Sequence, residues 1–257
     1  MSYVTIIIPY KNNLKYLFLT LKSIFSQTFK KFKILIIYDD IDKSDLQILK
    51  KYILKKKINK KYKIKIIINK KNLGPGKSRN IGIKNSNSKY IAFIDSDDTW
   101  HKDKLKKQLY FMRKNNLLIS HTSYSVIDAN GKKISNRIAK SKIYFKDLIK
   151  SCDIGLSTVI LDLSFLKKNN LYFPTNIKTK EDYIFWLKII KKTNFIRGMN
   201  VKLTNYRKTK NSLSSNIFLN LLNGYKVYRN YMDYSILISF IYLLRLSLNY
   251  LKKTYMR

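Results

Sequence analysis

Acidic residues are scarce in this chain, and several of them stand where apolar runs end. The 257 residues include 15 Asp and Glu against 53 Lys and Arg. Five of these acids follow two apolar runs, namely Asp39, Asp40, Asp95, Asp97 and Asp98. Carboxylates grouped in this way can hold a divalent cation, accept hydrogen bonds from hydroxyl or base groups, or take up a proton.

The densest acidic segment is Asp95-Ser96-Asp97-Asp98, directly after the apolar run Tyr90–Ile94. Alternate carboxylates at a strand end suit a divalent hard cation, and such a cation can hold the oxygens of a diphosphate. The segment also suits a solvated acidic turn, or the N-cap of the helix predicted over Lys102–Asn115. Taken by itself, it leaves both interpretations open.

A second acidic pair, Asp39-Asp40, closes the apolar run Ile34–Tyr38. One of its carboxylates could accept hydrogen bonds from the edge of a nucleobase or from ribose hydroxyls. A capping box or turn before the helix predicted over Ile41–Ile58 explains the pair slightly better when it is taken alone.

The segment Asn72–Asn80 contains Gly76-Lys77-Ser78, which resembles the end of a P-loop. That pattern requires a glycine five residues before Gly76, where this chain has Lys71. Pro75 also lacks one of the backbone N–H groups that would cradle a phosphate. The mismatch disfavours an NTPase, and we expect instead that Arg79 and the N-terminus of the following helix stabilise diphosphate charge.

A last acidic pair, Glu181-Asp182, begins the amphipathic pattern Glu181–Lys192. A carboxylate at the start of a helix could serve as a general base toward an acceptor hydroxyl. Helix capping, with Phe185 and Trp186 in the core, explains the same residues and is the better interpretation of this segment alone.

The elements that position these residues alternate between apolar runs and helical patterns over the first hundred residues. Strands are predicted at Val4–Ile8 (ended by Pro9), Lys33–Tyr38, Ile64–Ile68 and Tyr90–Ile94, and helices at Leu14–Phe25, Ile41–Ile58 and Gly74–Asn87. Apolar strands alternating with helices indicate an α/β fold with a parallel sheet covered on both faces. Ligands of such sheets bind beyond the carboxyl ends of the strands, where the acids fall.

The rest of the chain is less regular. The predicted elements are a helix at Lys102–Asn115, strands at Leu117–Ile127, Thr158–Leu161 and Phe195–Leu203, a helix at Glu181–Lys192, and helix from Ser212 to the end. Within that last helix, Tyr234–Leu251 is apolar apart from Arg245 and Asn249. A helix that spans a membrane needs about 20 predominantly apolar residues without such a charge. We therefore expect a helix that lies in a membrane interface or, equally, one that closes the core.

The net charge of +38 and the pI near 10.1 invite a nucleic-acid interpretation. The lysines are spread from Lys11 to Lys253, however, and not gathered in one arm. No nucleic acid is expected, although a non-catalytic module that binds polyanions stays open as an alternative.

The single Cys152 excludes an intramolecular disulfide, and two histidines do not make a Cys/His zinc cluster. We expect no signal peptide, because no basic leader accompanies the apolar start.

Taken in order, the motifs resemble those of the family 2 glycosyltransferases with a GT-A fold, the inverting nucleotide-sugar enzymes of bacterial surface polysaccharide assembly. The resemblance covers about residues 3–215. The matching segments are Val4–Asn12, Ser23–Thr28, Ile36–Asp40, Asn72–Gly82, Tyr90–Asp98, Glu181–Tyr183, Tyr206-Arg207 and Ser212–Ser214. An ordered series of this kind is far more specific than any one of its members.

The resemblance implies a GT-A (Rossmann-like), mostly parallel central sheet flanked by helices, with a helical C-terminal extension. It implies a transferase domain over residues 1–215, with a nucleotide-sugar half at about 1–100 and an acceptor half at about 101–215. Residues 216–257 would form the extension, which could be membrane-associated.

The resemblance also implies roles for single residues on the donor side. Pro9 and Tyr10 would line the nucleotide pocket, and Asp40 would bind the base, usually uracil. Arg79 would lie near the diphosphate.

On the catalytic side, Asp97 would be the direct ligand of Mn²⁺ or Mg²⁺, with Asp95 nearer the ribose. Asp182 would deprotonate the acceptor hydroxyl, with Glu181 as a supporting neighbour.

Two positions depart from the family pattern. The family usually follows its Asp-Asp with Gly-Ser, whereas this chain has Ile41-Asp42. A histidine often stands two residues after the arginine matched by Arg207, and here that residue is Thr209. These departures affect the turn beside the nucleotide and any histidine contribution to metal or diphosphate binding.

The function implied is transfer of a sugar from a nucleoside-diphosphate donor, most often a UDP-sugar, to a hydroxyl of a glycan or lipid-linked acceptor. The product would belong to surface polysaccharide or lipopolysaccharide. The expected location is the cytoplasm, peripheral at the inner face of the cytoplasmic membrane.

Overall fold

The computed structural model describes residues 3–55, 62–209 and 217–255. Its strands and helices follow one another along the chain as β1 (Val4–Tyr10), α1 (Leu14–Phe25), β2 (Phe32–Tyr38), α2 (Ser44–Lys55), β3 (Lys63–Ile68), α3 (Pro75–Lys84), β4 (Tyr90–Phe93), β5 (Thr99–Trp100), α4 (Lys104–Lys114), β6 (Ile119–Ile127), β7 (Lys133–Arg137), β8 (Lys142–Tyr144), α5 (Phe145–Leu148), β9 (Ile160–Asp162), α6 (Leu163–Lys168), α7 (Glu181–Thr193), β10 (Phe195–Arg207), α8 (Ile217–Lys226) and α9 (Ile236–Tyr255). A 3₁₀ turn lies at Leu156–Thr158, and a π-helical turn lies at Val227–Tyr231.

The strands form one sheet in the order β3-β2-β1-β4-β9-β6-β10-β5, with β7 beside β6 and β8 beside β10. The first four of these strands pair in parallel. Strand β9 is antiparallel to both β4 and β6, and β10 is parallel to β6. Of the ten strands in the described part of the chain, six therefore run in one direction. The predicted α/β fold with a mostly parallel central sheet is confirmed.

Alternate residues of the central strands face two separate apolar cores, as the two-residue period of a strand requires. Ile6 and Ile8 of β1 pack with α1, α2 and α4, whereas Ile7 packs on the opposite face with α3 and α7. Helix α3 approaches the sheet closely at Gly82, where a Cβ would lie 2.4 Å from Ile7 Cγ2. Helices on both faces explain why β1, β2 and β4 are apolar over most of their length and do not alternate.

Several boundaries differ from the sequence prediction, and two of the differences have clear local reasons. Strand β1 continues through Pro9, because β4 pairs with it only as far as Ile7 and the missing N–H leaves no ladder bond unmade. Helix α2 begins at Ser44 rather than Ile41, because the Asp42 carboxylate accepts hydrogen bonds from the Ser44 backbone N–H and hydroxyl and turns the chain there. The part of the predicted helix after Lys55 and the motif Ser212–Ser214 lie outside the described residues.

The unbroken helix predicted after Ser212 is wrong in its middle. Helices α8 and α9 are separated by the π-helical turn and by a bend, where Asp233 has a φ of 58°. The two helices pack closely at Gly224, where a Cβ would lie 2.8 Å from Leu243 Cδ1. Tyr228 anchors the pair to the sheet domain by donating its hydroxyl to the Ile149 carbonyl at 3.0 Å. None of the helices in the described ranges has both the length and the apolar character that crossing a bilayer would need.

Candidate active site

The acidic motifs lie together at the edge of the sheet where β1, β2 and β4 end. The backbone N–H of Asp39 continues the β1–β2 ladder by donating to Tyr10 O at 2.7 Å, and that of Ile94 donates to Ile7 O at 3.2 Å. Asp40 and Asp95 therefore emerge on one side of the sheet from β2 and β4, the two parallel strands that flank β1. This is the edge at which ligands of open α/β sheets bind.

Asp39 is a structural carboxylate. It is 3% exposed and accepts four side-chain or backbone hydrogen bonds. Its Oδ1 accepts from Asn69 Nδ2 and Leu73 N at 2.7 and 2.8 Å, and its Oδ2 accepts from Gly74 N and Asn72 Nδ2 at 2.8 and 3.2 Å. The carboxylate thus fixes the loop that leads from β3 into α3. With both oxygens engaged, it has little capacity left for a ligand.

Asp40 has a different environment. It is half-buried, and only its Oδ2 is engaged within the described part of the chain, by Asn12 N at 2.9 Å. Pro9, at the end of β1, is also half-buried. The Asp40 carboxylate therefore retains acceptor capacity at the sheet edge, as binding of a nucleobase would require.

The structure corrects the role expected for the Tyr10 side chain. The ring is fully buried, packs against Tyr38 at a centroid distance of 5.2 Å, and donates its hydroxyl to the Asp45 carboxylate. Burial, together with the hydrogen bond to Asp45, raises the pKa of Tyr10 well above its ordinary value. Residues of β1 alternate between faces, so Tyr10 packs into the core beside α2 and offers no exposed surface to a nucleotide.

Arg79 joins two of the acidic motifs. This residue of α3 is 4% exposed, and its Nη1 donates to Glu181 Oε1 at 2.7 Å while its Nη2 donates to Asp95 Oδ1 at 2.8 Å. Its guanidinium carbon lies 5.4 Å from the centre of the Phe173 ring. Both terminal nitrogens thus donate to protein carboxylates, so Arg79 connects the end of β4 to the start of α7.

The glycine-rich segment before Arg79 serves close packing. Gly74 adopts a φ of 83°, which favours glycine, and the helix begins at Pro75. A Cβ on Gly76 would lie 2.9 Å from Pro174 O and 3.3 Å from Glu181 Cγ. The segment therefore lets α3 approach the α7 loop, and it accounts for the glycines without a phosphate cradle.

The acidic loop after β4 is held from both sides. The Asp98 carboxylate is 1% exposed and accepts from Arg207 N at 2.8 Å, while Arg207 Nε donates to Asp97 O at 3.0 Å. On the other side, Thr20 Oγ1 contacts the carbonyls of Ser96 and Asp98 at 3.0 and 2.7 Å. These contacts leave the Asp95 and Asp97 carboxylates at the open end of the loop, each partly exposed.

The same loop has the electrostatic character of a cation site. Burial, followed by repulsion from Asp95, raises the pKa of Asp97 to about 6. Burial and the charges of Asp97 and Asp95 raise the pKa of Asp98 well above its ordinary value. In the described ranges, no three acidic, histidine or cysteine side chains converge on one point that a metal could fill. Two hard carboxylate ligands fit Mn²⁺ or Mg²⁺ when substrate phosphates supply the remaining oxygens, which is common for Mg²⁺.

Glu181 and Asp182 differ as sharply as Asp39 and Asp40. Glu181 is 8% exposed and paired with Arg79. Asp182 is half-buried; its Oδ1 accepts from Tyr183 N at 2.7 Å, and its Oδ2 has no hydrogen-bond partner among the described residues. Burial raises the pKa of Asp182, opposed by Arg79, the Tyr183 N–H and Lys180. A partly exposed carboxylate with a raised pKa and an unused oxygen suits proton abstraction.

The loop before α7 is braced by the C-terminal helices. Asn223 Nδ2 of α8 donates to Thr179 Oγ1 at 2.9 Å, three residues before Asp182. Tyr183 and Tyr228 share a hydrogen bond between hydroxyls at 3.2 Å. Lys180, which immediately precedes α7, has a φ of 70°. The position of Asp182 thus depends on contacts that come from the C-terminal extension.

Three residues that hold the site were not among the predicted site residues. Asp98 and Arg207 stood in quoted motifs, and their mutual hydrogen bond could have been suspected from those motifs. Ser157 had no local signal, although its hydroxyl accepts from Asp95 N at 3.0 Å and its carbonyl accepts from Trp100 Nε1 at 2.8 Å. The structure brings Asp95, Arg79 and Glu181 into direct contact.

Comparison with known proteins identifies related sequences and folds. The model of the family described as glycosyl transferase family 2 matches residues 5–172. A glycosyltransferase of Rickettsia conorii, RC0461, is 40% identical over 208 residues, which cover 79% of this chain and 32% of the relative. This chain thus spans about a third of the length of the rickettsial relatives that it matches.

Two further relatives are similar over most of the chain. The Escherichia coli UDP-Glc:alpha-D-GlcNAc-diphosphoundecaprenol beta-1,3-glucosyltransferase WfgD is 32% identical over 233 residues, which cover 90% of this chain and 87% of the relative. The crystal structure of S. aureus TarS 1–349 in complex with UDP-GlcNAc aligns with a TM-score of 0.72 at 24% identity, covering 99% of this chain and 73% of that chain. The second likeness concerns the GT-A fold alone.

Proposed function

Because this chain belongs to glycosyltransferase family 2, we propose that it transfers a sugar, with inversion, from a nucleoside-diphosphate donor to a hydroxyl group of a glycan or lipid-linked acceptor. The product would be a surface polysaccharide or lipopolysaccharide. The family assignment carries the glycosyltransferase class, and the geometry of the carboxylates supports the finer proposal.

The double ion pair of Arg79 is the observation that carries this proposal. It ties Asp95, at the end of β4, to Glu181, at the start of α7, over 2.8 and 2.7 Å. The acidic loop for the donor and the candidate base for the acceptor thereby share one rigid support. A displacement at the anomeric carbon needs these two functions on opposite sides of one sugar, held in a fixed relation.

On the donor side, Asp40 would accept hydrogen bonds from the uracil edge, with Pro9 beside it. Asp97 and Asp95 would hold Mn²⁺ or Mg²⁺, which would supply charge compensation for the departing diphosphate. Arg79 would act as a positioning residue, because it holds Asp95 Oδ1 at 2.8 Å and leaves the other oxygen of that carboxylate without a hydrogen-bond partner among the described residues.

On the acceptor side, Asp182 would take the proton from the attacking hydroxyl at its unused oxygen. The acceptor oxygen forms a bond to the anomeric carbon while the bond from that carbon to the diphosphate oxygen breaks. A single displacement inverts the anomeric carbon and needs no covalent enzyme intermediate. Glu181 would support Asp182 through Arg79.

The names of relatives support the substrate classes. WfgD uses UDP-Glc and a diphosphoundecaprenol-linked acceptor, and TarS binds UDP-GlcNAc. We accordingly propose a UDP-sugar donor, an acceptor of the glycan or lipid-linked class, and a peripheral location at the inner face of the cytoplasmic membrane. We also keep the division into a transferase domain at 1–215 and a helical extension at 216–257.

Thermal unfolding with nucleotide tests the proposal directly. UDP with MnCl₂, at about 100 times its Kd, should raise Tm by about 5 °C, and EDTA should remove that shift. Asp97→Asn should reduce the shift by at least about half, whereas Asp233→Asn, at an exposed acid on the bend before α9, should preserve it. Protection by heparin with none by UDP and Mn²⁺ would contradict the proposal and favour a polyanion-binding module that uses the +38 charge.

A further inference from the structure

The outer face of α9 is apolar along its length. The exposed residues Leu237, Ile241, Leu244, Leu248 and Leu251 follow one another at intervals of three and four residues, which places them on one side of the helix. Leu244 is 62% exposed and Leu248 is 56% exposed. The opposite side, with Ser239 and Leu246, is buried against the rest of the protein. Helix α9 therefore has one apolar side inward and a second one outward.

Helix α8 extends this surface. Its residues Phe218, Leu221 and Leu222 are also exposed. The Tyr225 ring of α8 lies 5.0 Å from the Phe240 ring of α9, so the two exposed stripes are adjacent. We call the combined surface the α8–α9 outer face. A contiguous apolar surface of this extent marks an interaction site on a folded protein.

The charge around the α8–α9 outer face is positive. The charged residues from 217 to 252 are Lys226, Arg229, Arg245 and Lys252, with Asp233 as the only acid. The whole chain carries a net charge of +38. A second copy would bring the same positive charges against these, whereas a bilayer with anionic lipids supplies both apolar depth and opposite charge.

We propose that the α8–α9 outer face docks in the interface of an anionic bilayer, with both helices lying in the membrane plane. Arg245 stands in the middle of α9, with its guanidinium carbon 5.5 Å from the centre of the Tyr242 ring. A central charge of this kind is costly at the bilayer centre but suits the headgroup level, where aromatic rings also lie.

Docking brings the catalytic machinery to the membrane surface. Asn223 of α8 holds Thr179, three residues before Asp182, and Asn249 of α9 donates to Lys150 O at 2.9 Å. Asn249 also lines a cavity of about 300 Å³ together with Tyr124, Arg137, Lys140 and Lys150 among its walls. This consequence rests on the proposed function: the head of a lipid-linked acceptor would reach the base from the lipid side. The docking itself does not depend on it.

Flotation of the full chain with vesicles tests the docking. The probes are phosphatidylcholine vesicles with and without 30% phosphatidylglycerol. The test variant is Leu244→Glu with Leu248→Glu. Its matched control is Ile48→Glu with Leu54→Glu on α2, where the two side chains are 51% and 66% exposed. Both double variants add two charges at exposed positions, so both should fold, as circular dichroism will verify.

The original chain should float with the anionic vesicles, the α9 double variant should bind at least about tenfold more weakly, and the α2 double variant should bind within about twofold. Equal binding by all three proteins would overturn the proposal. A dimer that the α9 variant dissociates, with no vesicle binding, would assign the surface to a second copy instead. Protection by UDP and Mn²⁺, measured without lipid, reports separately on the proposed function, because vesicle binding without nucleotide protection would refute only the latter.

Discussion

Two pairs of consecutive acids at the candidate site, Asp39-Asp40 and Glu181-Asp182, have the same arrangement: one carboxylate is buried and the other is half-buried. In the pair after β2, Asp39 is buried under four hydrogen bonds, whereas one oxygen of Asp40 has no partner in the part of the chain that the structure describes. In the pair at the start of α7, Glu181 is buried against Arg79, and one oxygen of Asp182 accepts no hydrogen bond from any described residue. In each region the first acid holds the local structure, and the second is the one that we propose contacts the substrate. The comparison separates carboxylates that are buried and hydrogen-bonded from carboxylates that remain partly exposed and able to accept further hydrogen bonds.

The third pair, Asp97-Asp98, reverses the order. Here the second acid is the buried one, because the Asp98 carboxylate accepts a hydrogen bond from the backbone N–H of Arg207 at the end of β10. Asp97 is left partly exposed, beside Asp95. Which acid of a pair is buried thus depends on the direction in which the chain turns. All three pairs nevertheless contain one buried and one partly exposed carboxylate.

The largest effect should come from the acid that builds the first pair. Asp39→Ala leaves four donors near the β3–α3 loop without their acceptor, and unfolding free energy should fall by about 4 kcal/mol. Asp40→Ala, the neighbouring control, should change it by no more than about 0.5 kcal/mol. Urea denaturation measures both. Similar losses in the two variants would contradict the division within this pair.

The acting acid of the second pair should show its effect in turnover. Asp182→Asn should lower kcat by at least about a hundredfold, the usual contribution of a general base, with little change in donor affinity. Glu181→Gln keeps an oxygen that can accept from Arg79 and should cost less than tenfold. Steady-state kinetics with saturating donor compare them. If Glu181→Gln is the crippling change, the base has been assigned one residue late.

Asp97→Asn should separate stability from cation binding. A carboxyl pKa raised to about 6 in the folded state means that ionisation opposes folding above the ordinary pKa, and the full cost is present above pH 6. The variant should therefore melt about 2 °C higher than the original chain at pH 7.5, and this gain should vanish near pH 4. Its apparent affinity for UDP with Mn²⁺ should fall at least about tenfold.

Asp98→Asn is the comparison for that variant. Its carboxylate accepts from Arg207 N and is not exposed, so the substitution should alter stability and leave the cation dependence of activity in place. A loss of Mn²⁺ dependence in Asp98→Asn, with Asp97→Asn still dependent on Mn²⁺, would reverse the assignment in the third pair.

Most of the elements, and the grouping of the acids at one sheet edge, were predictable because they depend on local patterns. The periodicity over Leu14–Phe25 predicted both ends of α1, and the acids at two strand ends were expected at one sheet edge, where the structure brings them together. The side chain of Tyr10 was misplaced, because its face depends on where the strand packs and not on its position at the strand end.

The partnerships within the site could not be predicted from local patterns. Arg79 and Glu181 are 102 residues apart in sequence, and Ser157 reaches Asp95 over 62 residues. The antiparallel strand β9, which separates β4 from β6, comes from a short apolar run whose direction no periodicity reveals. Which acid of each pair would be buried therefore became clear only from the fold.

The smallest and most specific effect should appear in the pH dependence of the second pair. Asp182 must be ionised to accept a proton, and the positive charge of Lys180 lowers its pKa against the larger effect of burial. Lys180→Gln removes that charge, so the pKa of Asp182 should rise. The acid limb of kcat/KM should move to higher pH by about 0.3 units, the size expected for one screened charge.

Lys178→Gln provides the control for that shift. Lys178 is exposed, also precedes α7, and is not among the groups with the largest effects on the pKa of Asp182. Its substitution removes the same net charge from the protein but should leave the acid limb in place. Equal shifts in the two variants would show a response to overall charge. A shift in Lys180→Gln alone would identify the titrating group as Asp182, the proposed base of the pair Glu181-Asp182.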